Sequence, residues 1–179
     1  DKNREDFQKE AILKAKKEHN SVGGVALVRV KNAPKGLGEP LYYKLDSQIA
    51  NAMMSINAVK AVEIGDGIDS AKVTGQENND EIRNSGFKTN HSGGILGGIS
   101  NGDDILVKVH FKATPSIFLK QETVTKYNKD TQCELKGRHD PCVAVRGSVV
   151  AESMMALTLA DMLLLNMSSK VENIKKVYN

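Results

Sequence analysis

A chain of 179 residues, 40% hydrophobic and 26% charged, has enough apolar mass for one domain with a real core and the composition of a soluble globular protein. Lys and Arg number 25 against 22 Asp and Glu, a formal charge of +3, which admits anionic ligands but falls short of a nucleic-acid-binding surface. Aromatics at 4% and no Trp argue against a base-stacking platform as well.

In chain order, Asp1-Lys2-Asn3-Arg4-Glu5-Asp6 has no signal-peptide character and no initiating Met precedes it, so the chain reads as a piece of something longer. Residues 4–18 predict an amphipathic helix, with Phe7, Ala11, Ile12 and Ala15 at helical spacing. Residues 22–31 predict a strand with two largely apolar faces, followed by a loop punctuated by Pro34, Gly36, Gly38 and Pro40. A helix is expected from Leu45 to Ile56, with Asp46 and Ser47 near its start, and a strand from Asn57 to Ile64. Residues 66–92 are polar and rich in Asn and Asp, the pattern of a long surface excursion.

The stretch from Asn90 to Gly102 carries five glycines between Gly93 and Gly102, around the apolar Ile95-Leu96. So dense a cluster needs a reason, because glycine costs backbone entropy on folding. Two readings stand: an ordered loop whose amides line a site, and a structural turn. Ile105 to Phe111 predicts a strand, and residues 121–136 a hairpin, Glu122–Tyr127 with Gln132–Leu135. Val143 to Arg146 reads as a short strand. Val149 to Asn166 reads as a helix apolar almost all round, of the kind buried between layers, in which Glu152 and Asp161 each need a partner or a polar pocket. The basic tail from Ser168 predicts a surface helix. The whole suggests one α+β domain spanning 1–179, with layered sheets and helices. No run is read as apolar and uncharged for long enough to cross a membrane. Cys133 and Cys142 define no disulfide framework, and a reducing, cytoplasmic setting is the simpler expectation.

Chemistry-bearing residues concentrate late in the chain. Lys112, Thr114 and Ser116 lie just past a strand end, either as a seat for phosphate or carboxylate or as ordinary solvated polars. In Arg138-His139-Asp140-Pro141, a carboxylate near an Arg stays ionised and can act as a base or acceptor; the plainer reading is a turn stiffened by Pro141. His91, Cys133, His139, Asp140 and Cys142 lack metal-ligand spacing, and no metal is expected.

Five stretches carry a family resemblance: Gly36-Leu37-Gly38-Glu39-Pro40, Met54 through Lys60, Val62-Glu63-Ile64-Gly65-Asp66-Gly67, Asn90 through Gly102, and Gly137 through Cys142. In this order and with these gaps the chain resembles the C-terminal half of the chorismate synthases. The resemblance implies a β-α-β sandwich of helices between antiparallel sheets, usually assembled as a homotetramer. It implies conversion of 5-enolpyruvylshikimate 3-phosphate to chorismate and phosphate by 1,4-anti elimination, with reduced FMN and with NADPH as a possible reductant. Flavin contacts would fall on Asn57, Ala58, Gly97, the run Lys112, Ala113, Thr114, Pro115 and Ser116, and Arg138. Asp140 would handle a proton near the flavin, and Arg138 would also face the anionic substrate. Ala113 stands where the family often has Pro, and Ala61 where it often has Gly. The family's pair of catalytic histidines, its arginine cluster and a further flavin-binding stretch belong to its N-terminal half and do not occur here. The chain is expected to be inactive alone, with no nucleic-acid or membrane partner. The alternative is a non-catalytic flavin- or anion-binding module.

Overall fold

The computed structural model describes residues 2–178. Its centre is a three-stranded antiparallel sheet in the order β1-β7-β2, from β1 (Gly24–Val30), β2 (Val59–Ile64) and β7 (Ile105–Phe111). The period-two pattern of β7 explains its central place. Ile105, Val107, Val109 and Phe111 all point to one face and are buried, alongside Ala26, Val28 and Val59.

Two helices cover that face. In α2 (Leu45–Met54), Leu45, Ile49 and Met53 recur every four residues and are completely buried. Each such side chain contributes about 1.5–3 kcal/mol of burial. In α3 (Ala144–Met167), the packed stripe is Ala144, Gly147, Ala151, Met155 and Met162. Its small residues let the helix approach the sheet closely. A Cβ on Gly147 would overlap the Phe111 ring, and one on Gly24 would come within 2.8 Å of the Ala144 Cβ.

The remaining elements are peripheral. Helix α1 (Lys2–Lys17) touches the core through Ala15 and Ile12, while Phe7 is exposed. The excursion between β2 and β7 is ordered: a 3-10 turn (Gly67–Lys72), a small ladder of β3 (Ile82–Arg83) with β4 (Gly86–Phe87), and a second of β5 (Ile95–Leu96) with β6 (Ile99–Ser100). The expected hairpin forms with β8 (Gln121–Val124) on β9 (Asp130–Cys133), its turn longer than the sequence suggested. The basic tail forms α4 (Val171–Tyr178), and Asn179 lies outside the described residues.

Three expectations change. Val143 to Arg146 is not a strand: Val143 is already helical at φ −72°, ψ −23°, and Gly147 N–H bonds its carbonyl at 2.9 Å. The β-branched residues favour a strand locally, but the close seat against Phe111 and Gly24 fixes a helix. Nor is α3 enclosed within these residues. Leu157 is 66% exposed and Leu164 65%, and Glu152 and Asp161 are simply exposed to solvent. Finally, α3 with its 24 residues is long and apolar enough to cross a membrane by length and composition, against the sequence reading. One stripe of α3 packs on β1 and α2, and 17% of its apolar window is buried among the described residues.

Candidate active site

The chemistry-bearing segments meet at the end of the sheet where β7 stops. Lys112 N–H bonds the Ala58 carbonyl at 2.9 Å, so the Asn57-Ala58 corner and the Lys112 run lie side by side. Ala58 is held at φ +72°, a left-handed conformation that strains a residue with a Cβ. Gly23 is required here, because a Cβ would come within 2.6 Å of the Phe111 carbonyl oxygen.

The segment after α1 binds two site segments together. Ser21 Oγ donates to the Thr114 carbonyl at 2.6 Å, Phe118 N–H to the His19 carbonyl at 3.2 Å, and Val22 N–H to the Pro141 carbonyl at 2.8 Å. Between them lies a cavity of about 280 Å³, lined by Ser116, Phe118, Arg138, His139 and Asp140, and by Lys16 and His19 from the end of α1. Asp140 Oδ2 is 3.3 Å from Nη1 of Arg146, in the first turn of α3. Asp140's observed partner is thus Arg146 rather than its sequence neighbour Arg138. The pair offers an acceptor fixed near a cation, beside cationic side chains that suit phosphate or carboxylate oxygens.

Of the residues singled out in the sequence, Ser116, Arg138 and Asp140 share this cavity. Lys112, Ala113, Thr114 and Pro115 lead into it along the chain, and Asn57 and Ala58 adjoin Lys112. Gly97 does not join them. Its turn sits by the start of α2, where Leu45 N–H bonds the Gly98 carbonyl at 2.7 Å, and by the residues just before β7. Seven residues of strand separate the two ends of β7, a span of about 20 Å.

Own-chain packing accounts for most of the glycine cluster. A Cβ on Gly93 would strike Gly65, on Gly94 the Asp104 backbone, and on Gly98 the Lys44 side chain. Of the cluster's glycines, only Gly97 has nothing within 4 Å of an added Cβ among the described residues. Asp80 anchors the entry to the cluster. It accepts from the Thr89 hydroxyl (2.7 Å), His91 N–H (2.8 Å), and both Ser92 N–H (2.9 Å) and hydroxyl (2.7 Å). Burial pushes its carboxyl up, but these four bonds outweigh it and hold the group down at about 2. His91 Nδ1 lies 2.6 Å from Asp66 Oδ2.

On the sheet face away from the helices, Glu63 is buried beneath the 3-10 turn. Burial raises its carboxyl, yet Lys108 at 3.2 Å, the Ile68 N–H and His110 leave it below the ordinary carboxylate value. His110 Nε2 lies 2.6 Å from Glu63 Oε1. Sequence reading missed Arg146, Asp80, Lys16 and His19. For Arg146 the signal was present: a helix starting just after Pro141 brings its first turn back to Asp140.

The fold is α+β and its cleft suits anionic ligands, and the comparisons give the family. The chorismate synthase family model matches residues 1–164. A chorismate synthase of Aliarcobacter butzleri (strain RM4018) is 78% identical over 178 residues, 99% of this chain and 50% of the relative. That of Sulfurovum sp. (strain NBC37-1) is 64% identical over 171 residues, 96% of this chain and 48% of the relative. A crystal structure of chorismate synthase superposes with a TM-score of 0.74 at 33% identity, covering 98% of this chain and 47% of the other. The chain belongs to the chorismate synthase family, and it spans about half the length of the curated relatives it matches.

Proposed function

We propose that this chain supplies part of the active site of an enzyme that converts 5-enolpyruvylshikimate 3-phosphate to chorismate and phosphate by 1,4-anti elimination with reduced FMN. The observation that carries this reading is the cavity in which Ser116, Arg138 and Asp140 meet beside the Lys112 run. The donor set fits the flavin's phosphate and the substrate's anionic groups: Lys112 and Arg138 offer charge-assisted hydrogen bonds and Ser116 a hydroxyl. When bound, reduced flavin would lend electron density to the substrate as its phosphate leaves and recover it from the substrate as the proton is lost.

The chain's own residues bind, orient and hold a proton. Arg138 presents a planar fork to carboxylate or phosphate oxygens. Asp140, kept in place by Arg146, accepts the proton that the elimination releases. Gly97 lies too far along the sheet to reach the same flavin within one copy, so in this reading its contact comes from another copy in a homotetramer. NADPH serves as one source of flavin reduction, and the free thiols of Cys133 and Cys142 suit a reducing, cytoplasmic setting.

The test is anaerobic phosphate release with reduced FMN, by the longer protein that carries this sequence and by the 179-residue chain alone. Turnover is expected from the longer protein and none from the chain alone. A longer protein that binds FMN but releases no phosphate would establish a flavin-binding module instead.

A further inference from the structure

We propose that Lys16 and His19, at the end of α1, bind the anionic oxygens of a phosphate monoester in the cavity they share with Arg138. The proposal rests on the lyase reading above and extends its site to an element that carries none of the motifs. The cavity has two kinds of wall. One is the Arg138-His139-Asp140-Pro141 turn, and another is the end of α1 with Lys16, His19, Asn20 and Ser21.

That end of α1 is fixed in place. The hydrogen bonds from Phe118 N–H to the His19 carbonyl, from Ser21 Oγ to the Thr114 carbonyl and from Val22 N–H to the Pro141 carbonyl tie it to both neighbouring site segments. Side chains on such a frame bind with less ordering cost than side chains on a free terminus.

His19 carries a conformational sign of its own. The helix ends with Asn20 N–H on the Ala15 carbonyl at 2.9 Å, and His19 takes the left-handed position at φ +57°. Glycine is the usual residue at such a helix end, because a Cβ is strained there. With histidine in that place, the imidazole stands edge-on to Phe118 at 6.1 Å, and Phe118 packs 5.1 Å from the His139 ring. The ring row sets the His19 side chain along the cavity wall.

The charges agree. Lys16 and Arg138 line the cavity, and its one carboxylate, Asp140, is paired with Arg146. The carbonyls at a helix end repel an anion. Here those of Lys14, Ala15 and Lys16 already accept from Glu18, Asn20 and His19 N–H. His139 Nε2 is buried in the same wall without a hydrogen-bond partner among the described residues, a polar group that a bound ligand can engage.

The phosphate could belong to FMN or to the shikimate substrate, and titrations separate the two. In the longer protein, Lys16→Ala and His19→Asn, the latter tolerant of the left-handed backbone, are compared with Lys14→Ala and Lys17→Ala. These controls remove the same charge from the same helix but lie outside the cavity. Kd is measured for oxidised FMN by fluorescence quenching, and for substrate with FMN already bound. Circular dichroism verifies folding.

Lys16→Ala is expected to weaken one ligand about tenfold, and His19→Asn about three- to tenfold, while the controls change it less than about twofold. Loss for FMN alone assigns the flavin phosphate; loss for substrate alone assigns the substrate phosphate. Equal losses in the controls would reduce the effect to the general field of α1 and overturn the proposal, as would unchanged affinities in both variants. Arg138→Ala keeps the two levels apart: if it too leaves both affinities unchanged, the site itself is misplaced, and not only its extension.

Discussion

Asp140 and Arg146 face each other where the chain turns into α3, with Oδ2 3.3 Å from Nη1. Arg146 is well exposed and Asp140 half-exposed, so the pair adds at most about 1 kcal/mol to stability. In the proposed function the contact is positional: it holds one end of the carboxylate and leaves the other for a proton. Asp140→Asn in the longer protein is therefore expected to lower turnover about 10²–10⁴-fold with little change in FMN affinity. Arg146→Gln should lower turnover about tenfold at unchanged thermal stability. Phosphate release and a thermal melt on each variant measure both effects. Full activity in Arg146→Gln would make the pair an ordinary surface contact.

Asp80 makes stability depend on pH. Its carboxyl is held at about 2 in the folded chain against 3.8 for the free group. A depressed carboxyl stabilises the fold above its unfolded value, and that contribution fades as pH falls from about 4 through about 2. Allowing for solvent screening of a partly exposed group, the contribution is about 1–2 kcal/mol. Asp80→Ala is expected to cost about 1–3 kcal/mol at neutral pH, because four donors lose their acceptor. The variant should also lose less stability than the parent on acidification. Urea unfolding at neutral and acid pH tests this, and parallel losses in both proteins would assign the acid sensitivity to other groups.

The contrast between Asp80 and β7 shows what the sequence could reveal. In β7, strict alternation from Ile105 to Phe111 forecasts both the strand and its buried face, because side-chain period and burial are one signal. The Leu45, Ile49, Met53 spacing of α2 is equally plain. Asp80 sits in a polar stretch without period, and its partners lie nine to twelve residues on in a loop. The start of α3 was hidden for a different reason: Val143 and Val145 favour a strand locally, and only contact with Phe111 and Gly24 decides for a helix. Arg146 was lost with that error. Lys16 and His19 were hidden because α1 reads as a packing helix, and nothing local says that its end turns toward Arg138.

Gly23 offers a test of the frame around the site. Its missing Cβ makes room for the Phe111 carbonyl at 2.6 Å and the Ala113 N at 3.2 Å, both backbone atoms that cannot swing aside. Gly23→Ala should cost about 1–3 kcal/mol, as overpacking does. It should also weaken FMN binding, because the displaced segment leads into Lys112. Gly75→Ala, where a Cβ meets nothing within 4 Å, is the matched control and should leave both quantities unchanged. A Gly23→Ala protein as stable as the parent would show that the strand start relaxes freely.

Gly97 and Lys112 lie toward opposite ends of α2. The Gly97 turn packs at the start of α2, and Lys112 pairs with Ala58 beyond its end. The ten residues of α2 alone span about 15 Å, and β7 about 20 Å. If both residues serve one flavin, they come from different copies. Gly97→Asp tests this cleanly: Asp tolerates φ +59° better than most residues, and its Cβ would meet nothing within 4 Å among the described residues. The fold should therefore keep its thermal stability, while the new negative charge repels an anionic ligand lodged there. Lys112→Ala should weaken FMN binding about ten- to a hundredfold by removing a charge-assisted bond of about 1.5–3 kcal/mol. Each variant alone should then be nearly inactive under limiting flavin. Co-expressed in equal amounts, they form mixed assemblies in which about a quarter of shared sites receive both native residues. Activity should recover to about that fraction. No recovery in assemblies shown by mass to be mixed would place both residues in the site of a single copy, and the shared-site reading would be wrong.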